Sequence, residues 1–473
     1  MEHIFFTTVI ILSAGFNFIF SVYAKRYIDP LEYGIYSTCL ILQMYMTYLQ
    51  LGSMNAFNRD YPQLVGAKNH KKAREYRNTT FTFLLIIFGL AVAITVSILL
   101  ILQATNANID IRYSLGYLFT ALLTALSIIE SFGNYRARID DSFTYSALVL
   151  LAKLFSLAIG IVLIRKIGYY ALYLTPITSS LIGIVMFYRR GYSDLKLRVN
   201  WQLLKLLLLS GMPLLISNLI WTVVNTIDKF LILGVLDTEA LGFYTLAQSA
   251  FSIIVLIPNA LSQIFYVRMG REYGAGGSVQ VLNKVANKFT SILAIISSFI
   301  AIGVFFLIPP FVELLIPAYK NGILSAQILV IGLAIYAPTM VNGNILTILK
   351  KNAALLRSSI YLCMFNVAFS MSFLFILKKD ISSIAYGTAT SYVLRSLIIV
   401  YQIKKYARGD LWLLFKSSIL MVVATVLPAI ALYNLIPDRI IGLMAALVLS
   451  AVIYAFAYRK ELITSIKKGD TII

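Results

Sequence analysis

The sequence predicts an all-α integral membrane protein of about fourteen transmembrane helices, arranged as two pseudo-symmetric six-helix lobes plus two C-terminal helices. Three observations predict it. Apolar stretches long enough to cross a bilayer recur from end to end, joined by short polar segments. The mean hydropathy is +0.84, with 60% of residues hydrophobic and 13% charged. The first part of the chain also echoes a later part at a fixed offset.

The apolar runs fall at 4–24, 33–57, 79–103, 113–133, 144–164, 168–188 and 206–227 in the first half of the count. They continue at 240–267, 289–309, 322–349, 355–377, 383–403, 414–435 and 439–458. Each is uniformly apolar and longer than the alternating runs of about ten residues that build a membrane barrel, so each reads as a helix. Ser21-Val22-Tyr23-Ala24 has a faint signal-cleavage look, but no basic region precedes it, and the first run reads as a retained helix. No segment between runs is long enough for a soluble catalytic domain.

Basic residues give the orientation. Alternate loops, with the C-terminal tail, hold 28 of the 40 Lys and Arg, including Arg59 to Arg77, Arg189 to Lys205 and Lys404 to Lys416. The opposite loops hold Lys25, Arg26, Arg112, Arg165, Lys166, Lys229, Lys320, Lys378, Lys379 and Arg439. The richer set faces the cytoplasm, which puts both termini there. The net charge of +20 is therefore dispersed as topology signals, and no nucleic acid is expected as a partner. Cys39 and Cys363 lie inside apolar runs, and His3 and His70 are far apart. No disulfide framework, metal site or cofactor is expected.

The repeat has an offset of 208. Asn17 matches Asn225, Asp29 matches Asp237, Gly34-x-Tyr36 matches Gly242-x-Tyr244, and Gly66-Ala67 matches Gly274-Ala275. The offset covers six spans, an even number, so the halves share one orientation and form a parallel repeat. The expected layout is an N-lobe at 1–188, a basic cytoplasmic link at 189–205, a C-lobe at 206–403, and helices 13 and 14 with a cytoplasmic tail at 404–473. Two such lobes rock about a site between them.

A few residues are costly where they sit. Lys153 falls mid-span, roughly 15 Å from either interface at 1.5 Å per residue, so it faces a wet cavity or pairs with an acid. Arg395 lies within span 12 and is a second candidate cation for that cavity. Asp228, beside Lys229 near the outer end of span 7, is either a cavity acid serving as the candidate proton or cation site, or an interfacial residue. Glu130, close to the end of span 4, reads as solvated. Ser13, Asn17 and Ser21 share one face of helix 1. Asn225 and Asn342 add polar groups to spans 7 and 10, for substrate contact or for bonds between helices. Pro176, Pro213, Pro258, Pro338 and Pro428 fall within spans as kink points.

The segments Asp29-Pro30-Leu31-Glu32-Tyr33-Gly34-Ile35-Tyr36 and Leu51-Gly52-Ser53-Met54-Asn55-Ala56 carry a family pattern. So do Ser210-Gly211-Met212-Pro213, Asp228 to Gly234 and Ala240-Leu241-Gly242-Phe243-Tyr244. Over essentially its whole length the chain resembles the polysaccharide transporter family, the Wzx-type flippases of O-antigen and capsule units. These share a superfamily with MATE exporters and MurJ-type lipid flippases. The resemblance implies a transporter and not an enzyme. It implies an undecaprenyl-diphosphate-linked oligosaccharide as substrate, moved to the periplasmic leaflet of the bacterial inner membrane during lipopolysaccharide or capsule synthesis. A polysaccharide polymerase and a chain-length regulator are the implied protein partners. In that frame Lys153, Arg395, Asn17, Asn225 and Asn342 are the candidate substrate contacts, and Asp228 is the candidate coupling acid. Two other classes compete. A MATE-like antiporter of small cations would want acids at the midplane. A membrane glycosyltransferase or polymerase would want a large external loop with acids, Arg or His, and the only acidic pair of note, Asp140-Asp141, lies on the opposite side.

Overall fold

The computed structural model describes residues 2–105, 110–140, 143–190, 195–274, 278–377 and 379–459. Asp141, Ala275, Lys378, link residues 191–194 and the tail 460–473 lie outside the described residues, as do the side chains of His3, Arg138, Asp140, Ser217, Arg268 and Arg271. The described residues are predominantly helical and contain no strand. Its helices are α1 (Glu2–Tyr27), α2 (Pro30–Met46), α3 (Ser53–Gly66), α4 (His70–Ala104), α5 (Ile111–Asp140) and α6 (Phe143–Ile167). Then come α7 (Ala171–Arg189), α8 (Trp201–Val235), α9 (Thr238–Gly274), α10 (Val279–Leu315), α11 (Ile323–Tyr336) and α12 (Thr339–Ile348). The last are α13 (Asn352–Ile376), α14 (Ile381–Ala407), α15 (Leu411–Phe415), α16 (Met421–Leu435) and α17 (Arg439–Ala457).

Eleven stretches of the described residues are long and apolar enough to cross a membrane. One of them, Tyr145–Arg189, contains both α6 and α7. With α1 and the α2–α3 pair, the helices cover all fourteen expected spans. Their outward faces carry Leu100, Phe155, Leu314 and Phe375, all exposed. Apolar surface on this scale is stable only against lipid. Inside, Ser and Thr side chains such as Thr124, Ser297 and Thr388 are buried at helix contacts, where small size allows close approach.

Helix starts follow from short polar side chains. Asp29 caps α2, accepting from the Glu32 N–H at 2.8 Å, and Pro30 supplies the first helical residue, whose missing N–H is no loss there. Asp237 caps α9 in the same way, accepting from the Ala240 N–H at 2.7 Å. These acceptors and donors are repeat equivalents. The Asn17 amide donates to the Ser13 carbonyl at 2.7 Å, and the Asn225 amide to the Trp221 carbonyl at 2.8 Å, again at equivalent positions. Two of the repeated pairs, Asp29 with Asp237 and Asn17 with Asn225, thus do the same local work in both parts of the chain.

The chain divides into two compact units, Met1–Thr226 and Ile227–Ile473. In the first, α6 lies between α1 and α7, and α5 packs on α2, α4 and α7. Past its undescribed part the basic link runs extended along α4. The Lys196 N–H donates to Asn78 Oδ1 (3.3 Å), the Arg198 N–H to Thr82 Oγ1 (3.1 Å) and the Asn200 N–H to Thr79 Oγ1 (3.2 Å). In the second, α14 lies between α11 and α13, while α10 packs on α9, α11, α16 and α17.

Three expected spans are not single helices. The run 33–57 breaks after Met46 into a 3₁₀ turn, then into left-handed backbone at Leu51 (φ 49°) and Gly52 (φ 84°) before α3 begins. Gly52 is required twice over: its φ disfavours a side chain, and a Cβ there would stand 2.6 Å from the backbone carbonyl carbon of Gly211. The run 322–349 breaks at Pro338, which lacks the N–H to continue α11. The run 414–435 contains a π-turn at Lys416–Leu420. Pro176, Pro213, Pro258 and Pro428 do lie inside helices.

Candidate functional site

Within the first unit a polar cavity of about 360 Å³ opens between α1, α2, α6 and α7. Ser13, Asn17 and Ser21 line it from α1, at the four-residue spacing that puts them on one face. Tyr33 and Tyr36 line it from α2, where the cap at Asp29 sets the helix start. Lys153 enters from α6. The wall offers groups suited to a hydroxyl-rich ligand. The buried Ser13 hydroxyl has no hydrogen-bond partner among the described residues, Asn17 keeps its amide oxygen outside the bond to Ser13, and the Ser21 and Tyr33 hydroxyls are 3.3 Å apart.

Lys153 is both things its position allowed. It faces the cavity, and its Nζ donates to Glu130 Oε1 at 2.9 Å and Oε2 at 3.0 Å. The side chains are 22% and 10% exposed. Glu130 is therefore not solvated, as its sequence position had implied. The helix that carries it, α5, runs on to Asp140, so Glu130 stands well short of the helix end and is buried. Lys25 and Lys229, read as loop charges, are likewise corrected: they lie in α1 and α8 and are buried. The Lys25 Nζ sits 4.9 Å over the Tyr33 ring and 3.4 Å from Ser21 Oγ, beside the cavity wall. Close by, Arg165 of α6 donates to the Tyr23 and Tyr27 hydroxyls of α1 at 2.7 and 3.2 Å.

The second unit has a buried acidic knot. Asp228 Oδ2 accepts from the Tyr244 hydroxyl at 2.7 Å and Oδ1 from the Asn366 amide at 2.7 Å. The same amide lies 3.3 Å from Thr388 Oγ1, and Ser370 Oγ donates to Asn366 Oδ1 at 3.2 Å. Four side chains from α9, α13 and α14 thus surround one carboxylate of α8. Tyr244 is the repeat equivalent of Tyr36, and the position equivalent to Asp228 is Phe20, a lining residue of the first unit's cavity. Related places in the two units hold opposite chemistry: a cation in one, a carboxylate in the other.

Of the six candidate residues, Lys153 and Asn17 line the cavity and the other four do not. Arg395 is buried on α14, bonded to the Tyr336 hydroxyl with its guanidinium 4.9 Å from that ring, which stacks on Tyr392 at 5.0 Å. Asn342 is fully buried, its Oδ1 accepting from Thr290 at 3.3 Å. Asn225 is half-buried and bonded to its own helix, and Asp228 forms the knot. Sequence reasoning did not single out Tyr33, Asn366 or Thr388. It did hold one unused signal for Glu130, the sole acid within the run 113–133.

Fold and cavity define a multi-pass, all-helical membrane protein with a polar pocket among its helices, and the comparisons agree on that fold. The family profile described as "Polysaccharide biosynthesis protein" matches residues 2–267, and one described as MatE matches residues 213–376. The chain belongs to the polysaccharide biosynthesis protein family. It is similar in fold to "Lipid II flippase MurJ, inward closed conformation", with a TM-score of 0.73 at 14% identity, covering 97% of this chain and 100% of that one. An inward-facing multidrug resistance MATE family transporter of the MOP superfamily gives 0.69 at 14%, covering 84% and 95%. A MOP superfamily transporter from Pyrococcus furiosus gives 0.60 at 12%, covering 86% and 95%. No curated protein matches the chain.

Proposed function

We propose that the chain is a flippase for undecaprenyl-diphosphate-linked oligosaccharide repeat units of O-antigen or capsule, carrying them from the cytoplasmic to the periplasmic leaflet of a bacterial inner membrane. The observation that carries the reading is the cavity between α1, α2, α6 and α7, with Lys153 on a wall of serine, asparagine and tyrosine. A sugar diphosphate cannot cross hydrocarbon alone, because burying an unpaired charge is prohibitive. The ammonium of Lys153 offsets that penalty through charge-assisted hydrogen bonds to phosphate, while Asn17 and Ser13 meet sugar hydroxyls. The lipid tail stays in the bilayer. Both termini are cytoplasmic, and transport proceeds by alternating access of the site to the two leaflets. Polymerase and chain-length regulator partners would take up the product.

The test is genetic. Deleting the gene is expected to accumulate one lipid-linked glycan on the cytoplasmic leaflet, and Lys153→Ala at equal protein level is expected to do the same. Normal transport by that variant would overturn the cationic-site reading.

A second reading has its own support in the MatE match over 213–376 and the Asp228 knot, an acidic site of the kind a cation antiporter uses. In the flippase reading the same knot is the proton or cation coupling site. An efflux assay in a drug-sensitive strain separates the two, since only an antiporter restores resistance.

A further inference from the structure

We propose that Glu130 is the internal competitor for Lys153: it holds the ammonium until an anionic headgroup arrives, and so sets how tightly the cavity binds diphosphate. The proposal rests on the reading of the cavity as a headgroup site and adds the residue that tunes it. Four observations converge. Lys153 lines the cavity and Glu130 does not, so the carboxylate stands behind the ammonium as seen from the ligand's side. Both carboxylate oxygens take a hydrogen bond from Nζ, at 2.9 and 3.0 Å, which leaves one of the three ammonium donors for the cavity. The carboxylate has a close-fitting seat: a Cβ on Gly183 of α7 would stand 2.7 Å from Glu130 Cγ and 3.0 Å from Cδ, so a side chain at that position makes Glu130 shift from where it sits. Finally, three helices, α5, α6 and α7, meet at this pair, so a shift of α5 or α7 changes how much of the ammonium is free.

The physical need is release. A bare, mostly buried ammonium against a diphosphate would hold its cargo, whereas a transport site must bind strongly enough to load and weakly enough to let go. A carboxylate that returns to Lys153 as the phosphate leaves supplies that second half. Stability does not demand the pair, since buried ion pairs exchange for well-packed apolar residues with little loss. The ligand class is a phosphate or diphosphate anion. Glu130 discriminates against neutral ligands, which have nothing to exchange for it.

The experiment titrates inorganic pyrophosphate into the full-length protein in lipid nanodiscs, by calorimetry, for wild type, Lys153→Met, Glu130→Gln and the double variant. Glu130→Gln is expected to bind about tenfold tighter, about 1.4 kcal/mol, with the gain abolished in the double variant. A merely structural pair would weaken or leave binding unchanged when broken, never tighten it. Gly183→Ala, which displaces Glu130 with both charges kept, is expected to give a smaller gain, and it decides the matter if Glu130→Gln does not fold. Affinity unchanged or lower in these variants, with Lys153→Met weaker than wild type, overturns the role of Glu130 and leaves the headgroup reading standing. Equal binding by Lys153→Met and wild type overturns both.

Discussion

Lys153 and Glu130, 23 residues apart in the chain, meet through both carboxylate oxygens at the wall of a polar cavity. The contact joins α5 to α6 within the bundle. Breaking it from one side leaves a buried charge uncompensated. Exchanging the residues, as Glu130→Lys with Lys153→Glu, restores the pair but turns the carboxylate toward the cavity. The exchange is expected to recover the thermal stability lost in either single variant while transport stays absent. Recovery of transport would mean that the pair matters only for folding.

Asp228 accepts one bond from Tyr244 and one from Asn366. Asp228→Asn keeps the shape, removes the charge and can keep only part of this pattern. If the knot is the coupling site, transport into proteoliposomes should stop responding to an imposed proton or Na⁺ gradient in this variant. A gradient response equal to wild type would remove Asp228 from that role.

Gly52 and Gly211 touch backbone to backbone, and a Cβ on Gly211 would stand 2.6 Å from the Gly52 carbonyl carbon. Gly211→Ala should therefore destabilise the first unit by roughly 1–3 kcal/mol through overpacking at the break between α2 and α3. Gly234→Ala is the control, since a Cβ there meets nothing within 4 Å. In the same helix it should be neutral or slightly stabilising. Thermal unfolding in detergent reads both, and equal melting temperatures would refute the contact.

Asp110, in the loop before α5, accepts from the Arg112 side chain at 2.8 Å and backbone N–H at 2.9 Å, which holds its carboxyl below the ordinary value of 3.8. A depressed carboxylate contributes stability that is full above its unfolded value and is lost as pH falls through the folded one. Asp110→Asn should thus lower stability at pH 7 and converge on wild type in acid, beginning below about pH 3.8. The pair is largely solvent-screened, so the difference should stay under about 1 kcal/mol. A larger effect, or one that grows in acid, would contradict this account.

The sequence by itself determined the membrane class and the fourteen apolar runs. Hydropathy is a local property, summed over neighbours in the chain, and needs no knowledge of which helix touches which. The repeat was legible for a related reason, because matched residues such as Asn17 and Asn225 make the same bond to their own helix. Tertiary structure decided the rest. It paired Glu130 with Lys153, placed Arg395 on Tyr336 and away from the cavity, and gathered Asn366 and Thr388 around Asp228. It also broke the second span where Gly211 of a distant helix presses on Gly52. A buried charge must find a partner somewhere, but which partner depends on the rotation and depth of separate helices, and no spacing within a single run encodes those.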